Sequence, residues 1–159
     1  MKIAFTNDHA AVEAREQIIR KLRELGHEVI DLGAKSPESV DYPNYAAAAA
    51  RAVAAGEADR AVLVCGTGIG MSIVANKFRG VRCAVATDTY AAEMSRRHND
   101  ANCLALRARE QSPETNEQIL DVWLKTEFEG GRHERRVKLI QDFENPEARR
   151  ASSTDKENK

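Results

Sequence analysis

The residues best equipped for chemistry form one short segment, Cys65-Gly66-Thr67-Gly68-Ile69-Gly70-Met71-Ser72. A β-branched run ends in a cysteine, glycines follow at alternate positions, and a helical pattern begins. Such glycines admit backbone dihedrals closed to other residues and let the main chain approach a ligand closely. Exposed N–H groups and the helix start would together receive an anion or a developing oxyanion. The same positive field would favour a Cys65 thiolate, a base or nucleophile near neutrality. The competing interpretation makes Cys65 a buried strand cysteine and the glycines packing devices. The segment is neither a GxxxxGK[ST] phosphate loop nor the GxGxxG dinucleotide fingerprint, whose spacing and position it lacks.

Other polar residues fall at further chain reversals. Asp8 and His9 follow the first β run in Thr6-Asn7-Asp8-His9. A carboxylate and an imidazole there can face a ligand, although an aspartate in this place also serves as a helix N-cap. His98 and Asn99, in Arg96-Arg97-His98-Asn99-Asp100, lie near a helix–strand junction. His98 could exchange protons near neutrality, or sit as an exposed imidazole favoured by the helix C-terminus. Arg132 and Arg136, four apart, share one helical face and match a phosphate. The alternative is a solvated basic turn compensated by Glu129 and Glu134. No metal site is expected, because His9, His27, His98 and His133 show no HxH or HExxH spacing and no two cysteines are close in sequence.

Positioning these groups requires alternating strands and helices. Strands are predicted at Lys2–Phe5, Glu28–Leu32, Ala61–Cys65, Arg82–Ala86 and Cys103–Leu106. Helices are predicted between the first two strands, at Tyr42–Ala55, and over 70–78, 89–97, 113–126 and 131–144. Ser112-Pro113-Glu114-Thr115 supplies a start signal for the fifth, a cap followed by proline at the first helical position. Such alternation implies an α/β fold, a three-layer sandwich with a five-stranded parallel sheet covered by helices on both faces. Ligands bind such sheets beyond the carboxyl ends of the strands. Residues 1–144 form the predicted domain, and the polar segment 145–159 is expected to be a disordered tail.

Composition narrows the function classes. Lys plus Arg numbers 24 against 25 for Asp plus Glu, so nothing draws the chain generally to nucleic acid or anionic lipid. No apolar run approaches a membrane span and the N-terminus does not read as a signal peptide. The three cysteines cannot all pair within one chain, which favours a reduced, cytoplasmic compartment. Cys83 and Cys103 fall inside predicted strands and read as core. Aromatics are only 5% and alanine supplies much of the apolar fraction, so each buried residue contributes little area and subunit association is favoured.

Taken together, the Asp8-His9 turn, Asp41-Tyr42-Pro43, CGTGIGMSIVANK at 65–77, RRHNDAN at 96–102 and EGGRHERRV at 129–137 resemble the ribose-5-phosphate isomerase B family, which includes galactose-6-phosphate isomerase subunits. The resemblance implies a Rossmann-like sheet, a homodimer or dimer of dimers with shared active sites, and no cofactor. It implies interconversion of ribose 5-phosphate and ribulose 5-phosphate through an enediolate. On that basis Cys65 is the carbon base, Thr67 moves protons at the substrate oxygens, and His98 opens the sugar ring with help from Asp8. Gly66, Gly68, Gly70 and Ser72 line the enediolate, Tyr42 and Asn99 bind hydroxyls, and His9, Arg132 and Arg136 hold the phosphate, with Arg109 in support. Ala11 and Arg107 stand where the family often has glycine. Met71 and the retained Cys65 point to the cysteine-base branch rather than the one with a glutamate base. Rival substrates are allose 6-phosphate, galactose 6-phosphate and a tetrose phosphate. A non-catalytic sugar-phosphate sensor is a further rival, disfavoured because binding alone needs no thiolate base.

Overall fold

The computed structural model describes residues 1–145, so the expectation of a disordered tail lies, beyond Asn145, outside the described residues. Strands β1 (Lys2–Asn7), β2 (Glu28–Asp31), β3 (Arg60–Cys65), β4 (Cys83–Val85) and β5 (Cys103–Arg107) alternate with helices α1 (Val12–Glu24), α2 (Tyr42–Ala54), α3 (Ile69–Ala75) and α4 (Thr89–Asn99). After β5 come α5 (Pro113–Lys125) and α6 (Arg132–Asp142). The strands form one parallel sheet in the order β2-β1-β3-β5-β4. The chain therefore leaves β1 toward one edge and returns to place β3 on its other side. The carboxyl ends of β1 and β3 consequently flank a topological switch point, where parallel sheets open a crevice.

Alternation along the strands divides the core into two unlike layers. Ile3, Phe5, Val62, Val64, Leu104 and Leu106 face one side, where they meet Ile18, Ile19 and Leu22 of α1 and Ile119, Leu120 and Trp123 of α5. Ala4, Ala61, Leu63, Cys65, Cys103 and Ala105 face the other, against Ala46, Ala49 and Ala50 of α2 and Met71 and Ala75 of α3. Methyl-sized side chains on both partners let the α2 backbone approach the sheet closely, which is the use the alanine run serves. Trp123 is completely buried, with the Arg60 guanidinium 5.2 Å from its ring centroid.

The predicted elements are present, with shifted ends. β1 continues to Asn7 because its polar side chains find partners inside: Asn7 Nδ2 donates to the carbonyls of Asp8 at 2.9 Å and Ala34 at 3.0 Å. α3 stops early because Asn76 is diverted to the sheet margin. Its Nδ2 donates to the Cys83 carbonyl at 2.9 Å and its Oδ1 accepts from the Cys83 N–H at 2.8 Å. α5 starts as expected, the Ser112 hydroxyl accepting from the Thr115 N–H at 3.1 Å ahead of Pro113. Among the described residues, no helix is long and apolar enough to cross a membrane.

Candidate active site

At the switch point the chain builds a polar floor largely from main chain. The buried Asp8 N–H donates to the Val64 carbonyl at 3.1 Å, which ties the first turn to the end of β3. The Asp8 carboxylate caps the turn, Oδ1 accepting from the Ala10 N–H at 2.9 Å. The capping alternative is thus realised, and Asp8 still lies beside Cys65. His9 Nδ1 accepts from the Val40 N–H at 3.2 Å, which fixes the ring to the loop before α2.

Cys65 ends β3, buried, with its sulfur accepting the Gly68 N–H at 3.1 Å. Gly68 adopts φ +76°, and a Cβ there would stand 3.2 Å from the Leu106 carbonyl oxygen. Only glycine lets this loop fold back onto the sulfur without strain. The N–H groups of Gly66 and Thr67 make no hydrogen bond among the described residues. A Cβ at Gly70 would lie 2.8 Å from the Tyr42 ring, so that glycine is the seat of the tyrosine. The Arg109 side chain lies against Gly66, its Cδ 3.4 Å from where a Cβ would stand. The Thr67 hydroxyl accepts from the Ile69 N–H at 3.3 Å. Ser72 is occupied by its own helix, its hydroxyl donating to the Ile69 carbonyl at 2.8 Å.

Cys83 and Cys103 stand at the starts of β4 and β5. Burial pushes the Cys103 thiol up to about 12, and burial followed by the neighbouring Cys103 pushes Cys83 well above the usual thiol range. Both are unsuited to proton transfer near neutrality, in keeping with their expected place in the core.

His98, Asn99, Arg132 and Arg136 lie elsewhere. α4 runs back against the strand direction, so its last turn reaches the amino ends of the strands. There the Asn99 carbonyl accepts from Arg82 Nε at 3.1 Å, just ahead of β4. Asn99 also borders a cavity of about 610 Å³ shared with Arg82, Cys83, Ile140 and Phe143. Cys65, by contrast, is in register with Arg107, the last residue of β5. The rise from Cys103 to Arg107 alone is roughly 13 Å. The sequence-derived set is therefore split between the two ends of one sheet, and so is the phosphate clamp, with His9 at one end and both arginines at the other.

At the amino end the structure adds two residues that spacing did not reveal as a site, Glu129 and His133. The His98 and His133 rings stack with centroids 4.2 Å apart and 3° between planes. Glu129 places Oε2 4.0 Å from His98 Nε2 and Oε1 3.8 Å from His133 Nε2. Arg97 anchors that carboxylate through Nη2 at 2.9 Å and Nε at 3.1 Å, which holds it below the usual carboxylate range. Burial, followed by the charges of His98 and Arg132, lowers the His133 pKa. The ligand atoms of His98, Glu129 and His133 lie within 4.8 Å of one another, close enough to surround a cation. Arg97 on the carboxylate and Arg132 Nε, 3.3 Å from His133 Nε2, oppose one. The four-residue separation of Glu129 and His133 is the one sequence hint of a pair, and its link to position 98 is purely tertiary.

The model of the family described as ribose/galactose isomerase matches residues 3–140. The chain belongs to that family. Its chemistry is that of an aldose–ketose isomerase of sugar phosphates. Ribose-5-phosphate isomerase B of Escherichia coli is 48% identical over 90% of this chain and 96% of its own length. D-erythrulose-4-phosphate isomerase of Pectobacterium atrosepticum is 40% identical over 92% of this chain and 97% of its own. The structure of Clostridium thermocellum ribose-5-phosphate isomerase B superposes with a TM-score of 0.89 at 49% identity, covering 91% of this chain and 97% of that one. The resemblance drawn from the sequence motifs is thereby borne out, as are the fold class and the reaction type.

Proposed function

We propose that this chain, a single isomerase domain over residues 1–144, interconverts ribose 5-phosphate and ribulose 5-phosphate in the cytoplasm without a cofactor. The observation that carries this reading is the setting of Cys65 at the switch point, beside the free N–H groups of Gly66 and Thr67. The Cys65 thiolate takes the proton from carbon 2 of the open-chain aldose and returns it to carbon 1. Amides of the glycine loop stabilise the intervening enediolate, and Thr67 moves protons at its oxygens.

Ring opening precedes that step. His98 gives a proton to the ring oxygen, the bond from that oxygen to carbon 1 breaks, and the carbon-1 hydroxyl yields its proton to Asp8 as the aldehyde forms. Tyr42 and Asn99 bind sugar hydroxyls, and His9, Arg132 and Arg136 hold the phosphate with support from Arg109. A clamped phosphate lets binding remote from the reacting carbons orient them.

The separation of His98 from Cys65 supports a homodimer or dimer of dimers, in which the amino-end cluster of one copy completes the carboxyl-end site of another. The 40% identity to a protein named D-erythrulose-4-phosphate isomerase favours one second reading, the same chemistry on a tetrose phosphate. Rates measured across four-, five- and six-carbon sugar phosphates separate the two. The highest kcat/KM is expected with ribose 5-phosphate, and a clear preference for a four- or six-carbon substrate overturns that assignment.

A further inference from the structure

We infer that His133 and Glu129 are positioning residues for His98, the first as the flat support on which its ring rests and the second as a fixed counter-charge for its proton. The inference deepens the ring-opening role proposed for His98 and rests on it. An imidazole in the last turn of an exposed helix samples several rotamers. Here it is confined by a parallel ring at 4.2 Å. That support is itself buried, the His133 side chain being only 5% exposed.

The protonation of the pair is divided by its surroundings. Arg132 Nε donates to His133 Nε2 at 3.3 Å, so this nitrogen is an acceptor. Burial, followed by the charges of His98 and Arg132, lowers the pKa of that ring, in the same sense as its accepting nitrogen. A neutral plate tolerates His98 with or without its proton, whereas two stacked imidazolium rings would repel. Glu129 then has one imidazole left to serve. Its Oε2 faces His98 Nε2 at 4.0 Å while Arg97 grips the same oxygen, and Arg97 is itself held by Glu93 at 3.1 Å. The counter-charge is therefore in place before the proton arrives, the kind of preorganisation that lowers a barrier most. Gly130 and Gly131, both at positive φ, turn the chain from Glu129 into α6, whose second residue is His133.

Ribulose 5-phosphate cannot close a furanose ring, because the hydroxyl it would use carries the phosphate. Solvent deuterium entering that ketose thus reports proton transfer at carbon without ring chemistry. Full-length Glu129→Gln and His133→Asn should each lower kcat from ribose 5-phosphate about tenfold with little change in KM, and spare deuterium exchange into ribulose 5-phosphate. His133→Phe, which keeps the flat ring and loses both nitrogens, should recover most of the loss. Equal losses in Phe and Asn variants, or exchange falling in step with kcat, overturn the inference. His98→Asn separates the two levels. If it fails to slow ribose 5-phosphate selectively, the ring-opening role falls and the inference with it. If it does so while Glu129→Gln and His133→Asn do not, only the inference fails.

Discussion

The two ends of the sheet solve the placement of reactive groups in opposite ways. At the carboxyl end, Cys65 is held by backbone: a left-handed Gly68, its N–H on the sulfur, and the Asp8 turn bonded to Val64. At the amino end, His98 is held by side chains, a stacked imidazole and a carboxylate that is itself pinned by an arginine. Main-chain amides carry fixed partial charges that no substitution elsewhere removes, and they suit a transient oxyanion. Side-chain networks are adjustable and can follow a proton that comes and goes. The reaction proposed for this chain asks for both, one at the carbon and one at the ring oxygen.

The contrast can be broken experimentally. The largest effect is expected for Cys65→Ala, which should lower kcat on the order of a thousandfold or more while sparing phosphate affinity. Turnover near that of the unmodified chain in that variant would remove the cysteine base. Next comes a mixture of equal amounts of Cys65→Ala and His98→Asn chains, refolded together. If the two ends meet across subunits, half the dimers are mixed and each regains one intact site, returning about one quarter of full activity. No recovery from two singly inactive chains means that each copy works alone.

Gly68→Ala probes the backbone end more gently. Forcing a Cβ into the left-handed region beside Leu106 should cost about 1–2 kcal/mol of stability, measured by urea unfolding, and lower kcat more than KM rises. An unchanged kcat would show that the loop conformation is not what positions the sulfur.

The smallest effect concerns acid. The pKa values of His27 and His133 are both lowered from that of an ordinary histidine, each chiefly by burial, so the unfolded chain binds protons that the folded chain declines. Stability should be complete above about 6.5 and decline below it, levelling off once pH passes the folded values. Thermal unfolding between pH 7.5 and 5 reads this directly, and His133→Asn should flatten the slope. A slope unaltered by that change would show that His133 titrates normally.

Much of this was legible in the sequence, for physical reasons that stop at identifiable points. The short apolar, β-branched runs of β3 and β5 and the cap at Ser112 are local signals, and the elements they mark appear with ends shifted by about one residue. The pattern over 70–78 predicts helix at Asn76, because propensity cannot see a carboxamide recruited by a strand seven residues on. The residues around Cys65 were legible as a group because strand, loop and helix are contiguous. The cluster around His98 was not, since 98, 129 and 133 meet only after α5 has crossed the sheet. Sequence spacing also could not show that His98 and Cys65 stand at opposite ends of the same strands. That fact emerges only from the direction in which α4 runs.

The double hydrogen bond from Asn76 to Cys83 has a consequence for solubility. A parallel sheet offers an intruding strand a row of open amides along each margin, and β4 is such a margin with only three residues. One carboxamide occupies both the N–H and the carbonyl of its first residue, so the ladder available to a stray segment shrinks further. On the opposite margin, Asp31 of β2 is engaged by Arg15 and the strand begins with a glutamate. Both borders of the sheet are thus unattractive templates for runaway strand addition in a crowded solution.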